Sequence, residues 1–99
     1  MTKAELINEI AKKTGVERIS VLKTVEAFME SVSNALVRNE SVYLRGFGSF
    51  VVRTRAEKVA RNISKDLPIV IPAHNVPSFK PSKMLAGKVK NGGQPQGKR

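Results

Sequence analysis

Cysteine and tryptophan are absent from these 99 residues, and histidine occurs once. Without cysteine, disulfides and thiolate metal sites are excluded. The single histidine, His74, and the single aspartate, Asp66, are too little material for a hydrolytic or metal centre. No enzymatic activity, metal or cofactor is therefore expected. Apolar stretches are only a few residues long, so no transmembrane helix is expected. The opening Met1-Thr2-Lys3-Ala4-Glu5 carries an acid and lacks an apolar run, so no secretory signal is expected and the cytoplasm is the default. Acidic residues are also scarce. Eight Asp+Glu against 18 Lys+Arg leave a formal net charge of +10. That imbalance points to a polyanionic partner, and neither a membrane nor a small-molecule substrate is expected.

The charge is unevenly placed. Residues 1–40 hold equal numbers of acids and bases, whereas residues 41–99 hold only Glu57 and Asp66 against all the remaining bases. A neutral first part suits packing or self-association. A basic second part suits phosphate contact, because each neutralised phosphate releases condensed counterions.

Local patterns give the elements. Thr2-Lys3-Ala4-Glu5 fits a capping box, with Leu6, Ile7, Ile10 and Ala11 on one face of the helix that follows. Gly15 suits its C-terminal cap. Val21, Val25, Phe28, Met29, Val32 and Leu36 recur at three- and four-residue steps, which predicts a second helix over about 17–38, closed by Asn39. The pattern then changes to strand. Val42 and Leu44 alternate with Tyr43 and Arg45, Gly46-Phe47-Gly48 makes a tight turn, and Ser49-Phe50-Val51-Val52 begins a second strand. The Walker and dinucleotide glycine patterns are absent, so these glycines are read as turn residues.

If that strand stays regular, Arg53, Arg55 and Arg61 share one face. Residues 62–66 are expected at a loop tip, after which residues 67–73 return as β-branched chain interrupted by Pro68 and Pro72. Proline cannot donate to a ladder, so Pro68, Pro72 and Pro77 favour a projecting two-stranded ribbon, in which each strand is an edge. Ser82 can cap a short helix through about Lys90, and residues 91–99 read as a disordered basic tail rich in Gly, Pro and Gln.

With an arm over about 53–76 and that tail set aside, about 66 residues remain for the body. Below roughly 70–80 residues one core seldom suffices without a staple, and oligomerisation is the staple left. All five aromatics lie in the body. Phe28, Phe47, Phe50 and Phe79 are expected to pack in a core shared by two subunits.

Arg45-Gly46-Phe47-Gly48-Ser49-Phe50, Arg53-Thr54-Arg55, Ala60-Arg61-Asn62, Ile71-Pro72-Ala73 and Val76-Pro77-Ser78-Phe79-Lys80-Pro81-Ser82-Lys83 stand in an order and spacing that resemble the bacterial histone-like family of HU and integration host factor. The resemblance covers about residues 1–90, a single histone-like DNA-binding domain. It implies an α+β fold: a helical hairpin base, a three-stranded antiparallel sheet, a protruding β-ribbon arm and a short C-terminal helix, in an intertwined dimer. The implied function is a nucleoid-associated architectural protein that binds duplex DNA through the minor groove with low sequence preference, bends it and compacts the nucleoid. The partners would be double-stranded DNA and a second copy or a related subunit.

The implied DNA-binding residues are Arg53, Arg55, Lys58, Arg61, Asn62, Ile63 and Lys65 on the arm, with Lys80 and Lys83 at the flank. Asn62 would either donate to minor-groove acceptors or make the turn. The chain departs from the family at the tip, where Ile63 replaces the wedging proline and the turn glycine is missing. Minor-groove architectural proteins, this family among them, use Ile, Leu, Met, Phe or Pro as wedges, so Ile63 fits the role.

Three other readings compete. An integration-host-factor-like protein would take sequence preference from DNA deformability. Single-strand or RNA binding would need exposed aromatics as stacking platforms, and the arm has none. A structural protein that binds acidic proteins would ignore DNA altogether.

Overall fold

The computed structural model describes residues 1–62 and 67–92, with Arg61 and Asn62 described by backbone alone. Two helices open the chain, α1 (Lys3–Thr14) and α2 (Arg18–Val37). The expected capping box is present: the Thr2 hydroxyl accepts from the Glu5 backbone N–H at 3.2 Å, and the Glu5 carboxylate accepts from the Thr2 N–H at 3.1 Å. Gly15 ends α1 at φ 77°, a left-handed geometry that costs glycine little.

Asn39 ends α2 in the same region, at φ 62°. Its N–H donates to the Leu36 carbonyl at 2.9 Å, and the Glu40 N–H donates to the Ala35 carbonyl at 2.8 Å. That bond pair is a Schellman motif closed by asparagine instead of glycine. Ile7 of α1 and Val21 and Ala35 of α2 are buried.

Five strands follow: β1 (Val42–Leu44), β2 (Gly48–Arg55), β3 (Lys58–Asn62), β4 (Leu67–Ile71) and β5 (His74–Pro81). Strands β1, β2 and β5 form an antiparallel sheet in that order, and β3 and β4 form a separate two-stranded ribbon. The ribbon continues β2 and β5 without a shift in register. Arg55 pairs with His74, and after two residues on each side Lys58 pairs with Ile71. Ala56 and Glu57 leave the ladder opposite Pro72 and Ala73. Pro72 has no N–H to donate, which accounts for a break at that point. Pro68 lies in the ribbon as expected, whereas Pro77 lies in the three-stranded sheet, on its edge strand β5, where a missing N–H is tolerated.

The turn between β1 and β2 is held from both sides. Phe47 N–H donates to the Leu44 carbonyl at 2.9 Å, with Gly46 at φ 82°. Ser82 caps α3 (Lys83–Asn91) by accepting from the Leu85 N–H at 3.0 Å. The Ser82 hydroxyl also donates to the Gly46 carbonyl at 3.0 Å, and its N–H donates to the Phe47 carbonyl at 2.9 Å. Asn91 belongs to α3, so the helix runs one residue into the segment expected as tail. The expected loop tip beyond Asn62 and the rest of the tail lie outside the described residues.

The chain is extended. Its radius of gyration is 18.9 Å, against about 13 Å for a compact domain of this length. Three of the five aromatic residues cluster without being buried. The Phe79 ring centroid lies 5.3 Å from Phe47 and 5.0 Å from Phe50. Yet Phe47 is 47% exposed and Phe79 39%. Phe28, on α2, stands 45% exposed and outside that cluster.

Gly48 sits where two backbones meet. A Cβ there would lie 2.6 Å from the Lys80 carbonyl oxygen and 2.7 Å from the Phe79 ring. Gly48→Ala is expected to lower stability by about 1–3 kcal/mol through this overpacking. Urea denaturation checks it: an unchanged midpoint would mean that β2 and β5 can separate freely.

Candidate nucleic-acid interface

A pleated strand sends successive side chains to opposite faces, and the partners paired across strands share a face. Along β2 this division is chemical. Phe50 meets Phe79, and Val52 lines a groove with Ser33, Leu36 and Val37 of α2. The alternate residues Ser49, Val51, Arg53 and Arg55 face the other way. Their β5 partners are Lys80, Ser78, Val76 and His74. The outer face therefore bears Lys80 at one end and Arg53 and Arg55 toward the arm. At about 3.4 Å per residue, the distance from Ser49 to Arg55 is about 20 Å, the axial length of about six base steps.

Arg53, Arg55, Lys58, Lys80 and Lys83 are all exposed. The ion pairs among the described residues are Lys3–Glu26 at 2.8 Å, Lys13–Glu9 at 4.0 Å and Arg38–Glu40 at 3.2 Å. They lie on the helices and the end of α2. Arg53, Arg55, Lys80 and Lys83 have no carboxylate partner among the described residues. Lys83 opens α3, and the first turn of that helix carries no acid. The positive end of the helix dipole thus adds to the same surface instead of being neutralised within the protein.

Arg53 and Arg55 share a face as expected, but the condition of a regular strand ends at Arg55. With Ala56 and Glu57 out of the ladder, counting alternate residues no longer relates Arg55 to Arg61. Lys58 lines one concavity together with Arg55 and His74, although three residues along an unbroken strand would separate them. His74 is exposed, with Nδ1 3.0 Å from the Pro72 carbonyl. The side chains of Arg61 and Asn62, together with Ile63 and Lys65, lie outside the described part of the structure. The exposed β4 residues Leu67, Ile69, Val70 and Ile71 show that the arm stands away from the body.

Two residues of this surface were missed as site residues. Arg45 and Tyr43 line the same depression as Ser49, Lys80 and Ser82. Only their alternation with the inward Val42 and Leu44 hinted at this in sequence. Of the residues expected in a shared core, Phe47, Phe50 and Phe79 come together, and Phe28 stands apart. No helix among the described residues is long and apolar enough to cross a membrane.

Comparison with known proteins agrees with this arrangement. DNA-binding protein HU of Thermotoga maritima is 43% identical over 90 residues, which cover 91% of this chain and all of that protein. DNA-binding protein HU of Geobacillus stearothermophilus is 42% identical over the same shares. Among solved structures, HU of Anabaena in a cocrystal with DNA superposes with a TM-score of 0.87 at 33% identity, over 92% of this chain and 99% of that one. HU of Thermotoga maritima gives 0.64 at 31% identity, over 90% and 98%. Residues 1–90 match the family described as bacterial DNA-binding protein, and with the helical hairpin, the split-faced sheet and the ribbon in place, the chain belongs to that family.

Proposed function

We propose that this chain is an architectural DNA-binding protein of the cytoplasm that grips duplex DNA through the minor groove with low sequence preference, bends it and compacts the nucleoid. The observation that carries this reading is the outer face of β2 and β5, whose cations have no carboxylate partner among the described residues and which leads directly into an exposed two-stranded arm. The names of the HU relatives and the DNA in the Anabaena cocrystal support it. The reading involves no chemical step, cofactor or metal.

In this reading Arg53, Arg55, Lys58 and Arg61 track phosphates and the groove, where the planar guanidinium fork can bond oxygens in pairs. Asn62 and Lys65 work near the tip, and Ile63 is the wedge that unstacks a base step at a cost of a few kcal/mol. Lys80 and Lys83 hold the flanks.

The working unit is a dimer. Three buried apolar side chains among the described residues and a half-exposed aromatic cluster make a poor core for one chain, and a second copy covering Phe28, Phe47, Phe50 and Phe79 would complete it. Sedimentation at micromolar concentration should give twice the chain mass, and a monomer mass would refute the shared core.

Binding to unrelated duplexes should be nearly equal. The logarithm of the affinity should fall against the logarithm of salt with a slope of about −0.9 per phosphate neutralised. Replacing Arg53 and Arg55 with Ala should weaken all duplexes alike and flatten that slope by about 0.9 for each phosphate no longer neutralised. An unchanged slope would place the phosphate contacts elsewhere. Ile63→Ala should reduce bending, read by end-to-end energy transfer, more than it reduces affinity; equal bending would remove Ile63 as the wedge.

A further inference from the structure

Tyr43 is the only tyrosine of the chain, and it is 74% exposed. Its neighbours on β1, Val42 and Leu44, are half-buried, so alternation turns Tyr43 to the outer face of the sheet. The register sets Tyr43 opposite Ser49, and Ser49 opposite Lys80. The three form one row across the sheet, at the end remote from the arm. The depression they line also includes Arg45 and Ser82, and no acidic residue among the described residues lines it. The depression therefore offers a phenol together with two cations, Arg45 and Lys80, whose charge favours an anion. A tyrosine has few rotatable bonds, so holding its hydroxyl at a phosphate costs little side-chain entropy.

We propose that Tyr43 is a further DNA-contacting residue, whose hydroxyl donates a hydrogen bond to a duplex backbone phosphate seated between Arg45 and Lys80. This rests on the DNA-binding reading above and extends the contact surface away from the arm to the outer strand of the sheet. The chemistry sets Tyr43 apart from its neighbours. A phenol is an uncharged donor, so its bond adds affinity without releasing a counterion, whereas a lysine contact does both.

The test uses the full chain and a salt series with duplex DNA. Tyr43→Phe keeps the ring and removes the donor. It should weaken binding about two- to tenfold, the range for one hydrogen bond, with the salt slope unchanged. Lys80→Ala should weaken binding and flatten the slope by about 0.9. Because there is one tyrosine, 3-fluorotyrosine labelling gives one fluorine resonance, which should shift on addition of duplex.

Wild-type affinity in Tyr43→Phe overturns the proposal and leaves the DNA reading standing. The same holds if Tyr43→Phe is neutral while Tyr43→Ala is weak, since that result assigns the ring and not the hydroxyl. A fluorine resonance indifferent to bound duplex also overturns it. If the wild-type chain itself ignores duplex DNA at low salt, the underlying reading fails first.

Discussion

Strand β2 has to satisfy two unlike environments with eight residues, and the two-residue period of a pleated strand is what makes this possible. Phe50 and Val52 turn inward to Phe79 and α2, while Ser49, Val51, Arg53 and Arg55 turn outward. A shift of one residue in its pairing with β5 would exchange the two sets, setting arginine against the phenylalanine cluster and apolar rings in water. The register is held where Gly48 lets β2 approach the Lys80 carbonyl and the Phe79 ring, with no room for a Cβ. Ser82 adds a second hold, bonding both to the β1–β2 turn and to the start of α3.

The interior of the single chain is small for its length. Among the described residues the buried apolar side chains are Ile7, Val21 and Ala35, and the aromatic cluster stays open to solvent on one side. The conformational entropy lost on folding is offset mainly by apolar burial, and here much of the available apolar surface is still exposed. The extended outline has the same origin, because residues spent on an arm and an outer sheet face add little to a core. The proposed dimer answers both features together, since one partner would cover the rings and leave the basic face free.

Features settled between near neighbours were the most legible. The Thr2–Glu5 box and the left-handed residues Gly15 and Asn39 involve groups within a few residues of one another, so the side chains that build them stand side by side in the chain. The strand pattern and the edge prolines were legible for a similar reason: alternation and a missing N–H are properties of one strand. The less legible features depend on what lies opposite. Ala56 and Glu57 look like ordinary strand until they face Pro72 and Ala73, and the regular strand on which a single face for Arg53, Arg55 and Arg61 was conditional ends at that break. Tyr43 looked like one more residue in an alternating run, because its relation to Lys80 passes through Ser49 on a different strand.

Composition and order alone established a neutral helical part and a basic β part, and led to the expectation of a body that needs a partner, because charge and chain length do not depend on conformation. They also established which segments are helix and which are strand, since those periods are local. Folding in three dimensions added the order β1-β2-β5, the unshifted register across the arm's break, and the gathering of Arg45, Tyr43, Lys80 and Ser82 at one depression. Those relations come from hydrogen bonds between strands far apart in the chain, and no local preference encodes which strands will meet.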